Sequence, residues 1–164
     1  MPFTPFHVGP ALLIYAVFPK LDPLAIFYGS ILVDIEFFLI TLLDLPFSIH
    51  GPLHSIIGVF LLLPVFLGAT LITRKALPKI DSLFIKPKPV YTIGISILSC
   101  LIGGFSHLLL DAPLYSDFNF TWPILDINPL FRVTNSINVY SFCILTFVIG
   151  LIVLVLRKRK AKTR

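Results

Sequence analysis

The sequence predicts an all-α fold, a polytopic membrane helix bundle of about four full spans plus a short N-terminal helix. One domain is expected over residues 1–164, with a basic tail at 157–164. Three observations carry this expectation. Apolar residues make up 57% of the chain and charged residues 13%, with a mean hydropathy of +0.97. That leaves too little polar surface to cover a soluble domain of this length, so the bilayer is the expected solvent and first partner. The runs Pro52–Thr73, Val90–Leu110 and Ile137–Leu156 each reach the ~20 residues that cross a hydrocarbon core, and Leu24–Leu43 is as long. Finally, the net charge of +5 comes from basic residues set beside apolar runs, which favours a membrane over nucleic acid as the partner. No nucleic-acid partner is expected.

In chain order, Thr4-Pro5 reads as an N-cap with proline at the first helical position. The helix it opens would run to Phe18, roughly 21 Å at 1.5 Å per residue, too short to span comfortably. Pro10 is expected to kink it. The opening "MPFTPFH" has no basic segment ahead of an apolar core, so it does not read as a cleavable signal peptide. After the "PKLDP" turn comes Leu24–Leu43, which carries Asp34 and Glu36 inside its apolar run. Pro52 is expected at the first position of the next span, leaving His50 on the preceding loop and His54 in the first turn. "PKIDSLFIKPKP" and the segment from Ala112 to Ser136 read as connecting loops, rich in proline or polar residues. Cys100 and Cys143 lie inside apolar runs and suggest no disulfide framework.

With alternating spans, Lys20, Arg74, Lys75, Lys79, Lys86, Lys88 and the basic residues of the tail fall on one side, and only Arg132 falls on the other. An excess of Lys and Arg marks the cytoplasmic side. The chain is therefore expected to be an integral plasma (inner) membrane protein with its C-terminal tail in the cytoplasm. The tail reads as a stop-transfer anchor, the alternative being a patch for anionic lipid or nucleic acid.

On this map His7, His50, His54 and His107 all come to the side opposite the lysines, joined by Asp44, Asp111, Asp117 and Asp126. His7 and Asp34 lie about equally far from the "PKLDP" turn, each roughly 20 Å along its helix. Within "GGFSHLLLDAP" (103–113), His107 and Asp111 are spaced i, i+4 and share a helical face. Asp34 and Glu36 are i, i+2, so a regular helix points only one of them at a given site; both reach it only if the helix is locally broken. Ionisable groups inside a membrane are costly and are by default a functional hypothesis. Histidine with carboxylate is the ligand set of a divalent cation, which offsets the burial of the acids. Zinc suits an imidazole-rich site best, with manganese or magnesium as alternatives. The site is expected near the extracytoplasmic side, with His7, Asp34, His50, His54, His107 and Asp111 as metal ligands.

The order of these motifs resembles the YdjM-like family of membrane-bound, metal-dependent hydrolases, LexA-regulated in some bacteria. The resemblance rests on His7, "GSILVDIE" (29–36), "HGPLHS" (50–55), "SHLLLD" (106–111) and Trp122-Pro123, and covers nearly the whole chain. It implies that His7, Asp34, His50, His54, His107 and Asp111 occupy the family's metal-site positions. Here Glu36 stands where the family has Asp and Val33 where it has proline. The histidine motif is one residue shorter and lacks its arginine, an obvious phosphate contact.

The expected function is hydrolysis, a metal activating water near the outer membrane face, on a lipid or phosphoester substrate. Glu36 is the candidate general base or a group behind the ligands, and His7 a ligand or proton shuttle, so these two form the catalytic expectation. The first helix points its N-terminal dipole at the site, which favours an anion. Trp122 is either an interfacial anchor or a wall of the substrate cleft. The alternative is a metal-ion or proton transporter or channel using the same cluster as a relay. Against it stand the small number of spans, the lack of an inverted repeat and the inner halves of the spans, which lack charge.

Overall fold

The structure is a computed structural model that describes residues 4–84, 91–125 and 127–162. Lys86, Lys88, Asp126 and Arg164, placed on the topology map above, lie outside the described residues. Among the described residues every regular element is helical. A 3₁₀ turn at Thr4–His7 leads into α1 (Val8–Val17), followed by α2 (Pro23–Ile31), a second 3₁₀ turn at Leu32–Asp34 and α3 (Ile35–Leu43). Then come α4 (Ile56–Ala76), a 3₁₀ turn at Ile80–Leu83, α5 (Ile93–Asp111) and α6 (Ser136–Lys162). Four helical stretches are long and apolar enough to cross a membrane: Pro23–Leu43, Ile56–Ala76, Ile93–Asp111 and Ser136–Lys160. Pro5–Val17 is a shorter apolar helix, too short to do so comfortably.

Two expectations are corrected. The helix expected from Thr4 to Phe18 is 3₁₀ over Thr4–His7 and α-helical only from Val8, which leaves Pro10 in the first α-helical turn, where its missing N–H has no partner within α1. Pro52 does not open the next span. The side chain of Ser55 accepts the N–H of Gly58, so Ser55 is the N-cap and α4 begins at Ile56, with His54 in the tight turn before it. The Ser55 hydroxyl also donates to the Pro52 carbonyl at 2.6 Å, which closes that turn.

Helix contact is set by small residues. A methyl group at Gly29 would overlap the Cys100 carbonyl, and one at Gly103 would overlap the Ile26 carbonyl. The backbones of α2 and α5 therefore approach closely, as small residues permit in a membrane, where no hydrophobic force drives helices together. Gly9 plays the same part between α1 and Cys143 of α6. The short first helix packs against α2, as a hairpin requires, and more extensively against α6.

One end of the bundle is fastened by charge. Asp22 caps α2 by accepting the N–H groups of Leu24 and Ala25. Its buried carboxylate also takes a two-pronged contact from Arg74, at 2.8 and 2.7 Å, and a bond from Ser96 at 2.6 Å. Arg74 reaches on to Asp81 at 3.0 Å. Arg157 donates to the Val17 carbonyl and Lys158 to that of Leu83, which brings the tail to this same end. The described basic clusters thus share one end, and the histidines gather at the other.

Candidate metal centre

Where α2 would otherwise run on, the chain tightens into the 3₁₀ turn Leu32–Asp34 and resumes as α3. That break changes what an i, i+2 pair can do. Asp34 and Glu36 approach the same histidine, His54, from two sides. The Asp34 Oδ1 atom lies 3.5 Å from His54 Nε2 and 3.4 Å from His107 Nε2. Glu36 stands behind His54, its Oε2 bonded to Nδ1 at 2.6 Å. The same carboxylate accepts the backbone N–H groups of Leu53 at 2.7 Å and His54 at 2.9 Å, so it also shapes the turn carrying the histidine. Gly51 is required beside it, since a methyl there would sit 2.7 Å from Glu36 Oε1.

These partners fix the imidazoles. A carboxylate accepts, so the neutral His54 imidazole donates through Nδ1 and keeps its lone pair on Nε2. His107 Nδ1 lies 2.8 Å from the Ser30 carbonyl, which also only accepts, so the neutral His107 imidazole too has its lone pair on Nε2. One helical turn on, Asp111 places Oδ2 at 3.3 Å from His107 Nε2 and accepts His7 Nε2 on Oδ1 at 3.1 Å. The His7 ring stacks on that of His107 with centroids 4.0 Å apart.

The result is a convergent set. One ligand atom each from Asp34, His54, His107 and Asp111 lie within 4.8 Å of one another, and these residues are 0–4% exposed. His54 Nε2, His107 Nε2 and Asp111 Oδ2 have no hydrogen-bond partner among the described residues. Buried polar atoms left this way are costly and ask for an explanation. A divalent cation supplies one, because every such atom is a lone-pair donor. Tetrahedral bonds of ~2.0–2.1 Å put ligand atoms ~3.3–3.4 Å apart. The Asp34–His54, Asp34–His107 and His107–Asp111 separations of 3.5, 3.4 and 3.3 Å match that spacing. The residues fit a metal ion.

Of the residues expected from sequence, Asp34, His54, His107 and Asp111 come together. Glu36 stands one bond behind His54, and His7 one bond behind Asp111. His50 flanks the group, its ring meeting that of His54 edge-on at 5.1 Å. Asp117 holds His50 Nδ1 at 3.1 Å, and Tyr115 stacks on its ring at 4.1 Å. Burial lowers the pKa of His50, whose buried Nε2 has no hydrogen-bond partner among the described residues. Trp122 shares with His50 the lining of a cavity of about 300 Å³.

Sequence reasoning gave no role to Asp117, Tyr115 or the Ser30 carbonyl. The topology map did place Asp117 on the histidine side. Nothing in the sequence marked a backbone carbonyl, which comes within reach only through the close approach of α2 and α5 at Gly29 and Gly103. No family model, curated protein or solved structure matches the chain.

Proposed function

We propose that this protein is a membrane-bound, metal-dependent hydrolase related to the YdjM-like family, acting on a lipid or phosphoester substrate at the outer face of the plasma (inner) membrane. One observation carries the reading. Three buried lone-pair atoms, on His54, His107 and Asp111, converge beside Asp34 without hydrogen-bond partners among the described residues. The motif order supports the family relation, and the gathering of basic residues at the opposite end supports a cytoplasmic tail.

Asp34, His54, His107 and Asp111 would hold the ion, with His50 Nε2 as a further donor beside them. Two imidazoles with two carboxylates suit zinc, and the carboxylates admit manganese or magnesium. An ion bound there supplies Lewis acidity for a phosphoryl or acyl oxygen and lowers the pKa of water toward ~7. The chain does the rest. Glu36 anchors His54 through Nδ1 and orients its Nε2, while its other contacts fix the turn at Leu53 and His54. That geometry favours the positioning role for Glu36 over the general base. His7 holds Asp111 Oδ1 through Nε2 and can carry a proton to or from that carboxylate.

The test is to assay one purified preparation both for turnover of phosphoester and acyl-ester lipids and for metal or proton flux in proteoliposomes. Metal-dependent turnover that His107→Ala abolishes is the expected result. Metal-dependent flux without turnover of any ester would replace this reading with that of an ion carrier.

A further inference from the structure

We propose that the substrate is an anionic phospholipid, its headgroup lodged in the cavity beside Arg132 and one acyl chain in the groove between α1 and α6. The inference rests on the hydrolase reading for the chemistry and stands on separate observations for the ligand.

The first observation is a polar cavity of about 630 Å³ lined by Tyr115, Arg132, Thr134, Asn138 and Tyr140, among others. Arg132 is the single lysine or arginine between residues 91 and 156, so it brings a positive charge to the end of the molecule opposite the described basic clusters. Its backbone is held at φ 61, a left-handed conformation uncommon for any residue but glycine, by a bond from its N–H to the Pro113 carbonyl at 2.8 Å. Pro113 follows Asp111 by two residues, so this bond ties the arginine to the segment that carries a candidate metal ligand. A guanidinium matches the geometry of a phosphate oxygen pair, the contact that the shortened "HGPLHS" motif lacks. Tyr115 lines the cavity and stacks on His50 at 4.1 Å, so a single side chain separates the cavity from the histidines.

The second observation is an apolar groove of about 420 Å³, lined by Phe6, Val8, Gly9, Cys143, Ile144 and Phe147. Phe6 and Val8 flank His7 in sequence, so the groove runs along the segment that carries this histidine. The two spaces share a wall, because Phe6 of the groove meets Tyr140 of the cavity edge-on at 4.9 Å. Tyr140, Ile144 and Phe147 are spaced i, i+4, i+7 along α6 and form one stripe that runs from the polar space into the apolar one. A pocket lined by an arginine, set beside an apolar groove on a helix long and apolar enough to span the bilayer, matches the two ends of an amphiphile already dissolved in that bilayer. A water-soluble phosphoester would leave the groove unused.

The experiment titrates delipidated full-length protein in mild detergent with fluorescently labelled phosphatidylglycerol and phosphatidylcholine, and measures metal content on the same samples. Arg132→Gln should weaken phosphatidylglycerol binding by about tenfold or more, the size of one charge-assisted contact, and leave phosphatidylcholine binding nearly unchanged. Ile144→Trp, which fills the groove from an exposed position, should weaken both lipids alike. Neither variant should alter the metal content. Wild-type binding in both variants would overturn the proposal, as would glycerol phosphate competing as well as the lipid. Selective lipid binding by protein that takes up no metal would leave this ligand assignment standing and remove the hydrolase reading. Metal-dependent turnover with unselective lipid binding would do the reverse.

Discussion

Glu36 Oε2 holds His54 Nδ1 at 2.6 Å, although Glu36 lies two residues beyond Asp34, whose Oδ1 faces the other side of the same imidazole at 3.5 Å. The relationship depends on the 3₁₀ turn at Leu32–Asp34, since a regular helix would turn the two acids about 200° apart. It also gives the acids different work. Asp34 offers an oxygen to the candidate centre, and Glu36 orients His54. Glu36→Gln should therefore lower metal affinity by ~10–100-fold, the usual loss when the partner behind a ligand is removed. Isothermal titration with zinc measures it. An unchanged affinity with lost hydrolysis would return Glu36 to the role of general base.

The approach of α2 to α5 positions His107 one turn after Gly103. Gly103→Ala would force its methyl against the Ile26 carbonyl, and overpacking of this kind costs ~1–3 kcal/mol. The helices should part, and the bond from His107 Nδ1 to the Ser30 carbonyl should lengthen with them. Reduced thermal stability together with reduced metal occupancy is expected. Gly94→Ala, on the same helix with open space around it, should change neither.

The lock at the basic end makes a contrasting prediction. Arg74→Ala leaves the fully buried Asp22 carboxylate without its guanidinium, and breaking such a pair costs ~3 kcal/mol or more. Thermal unfolding in detergent should show a clear loss of stability. Metal bound per folded chain should stay at the wild-type value, because Asp22 caps the far end of α2 from Asp34.

Orientation is tested by chemistry from outside the cell. The native Cys100 and Cys143 are buried, so they provide a silent background for added thiols. A cysteine replacing Asn119 should react with an impermeant thiol reagent in intact cells, and one replacing Lys160 should react only after permeabilisation. The reverse pattern would put the histidine cluster on the cytoplasmic face.

Much of this molecule was legible because the bilayer imposes simple rules. Span length and apolar content located all four long helices to within a few residues, and the i, i+4 spacing placed His107 and Asp111 together. Other features were hidden for identifiable reasons. Proline at 52 looked like a helix start, but the Ser55 hydroxyl accepts the Gly58 N–H as the cap, and the helix begins later. Pro10 announced an irregularity in the first helix but not its form, a 3₁₀ turn at Thr4–His7 ahead of α1. The break at Leu32–Asp34 has no proline or glycine to announce it. It was visible only as a conflict, two carboxylates that a regular helix could not bring to one site. Asp117 and Tyr115 act on His50 across a long loop, where sequence carries no periodicity to read.

The central claim is that Asp34, His54, His107 and Asp111 form one metal centre, and elemental analysis of the purified protein tests it most directly. Wild-type protein should carry close to stoichiometric divalent metal or take it up on titration with zinc. His54→Ala and His107→Ala should each lose most of it, while Trp122→Ala, outside the four ligands, should retain it. Wild-type protein that binds no divalent ion at any concentration tried, or folded His107→Ala protein with an undiminished metal content, would contradict the account.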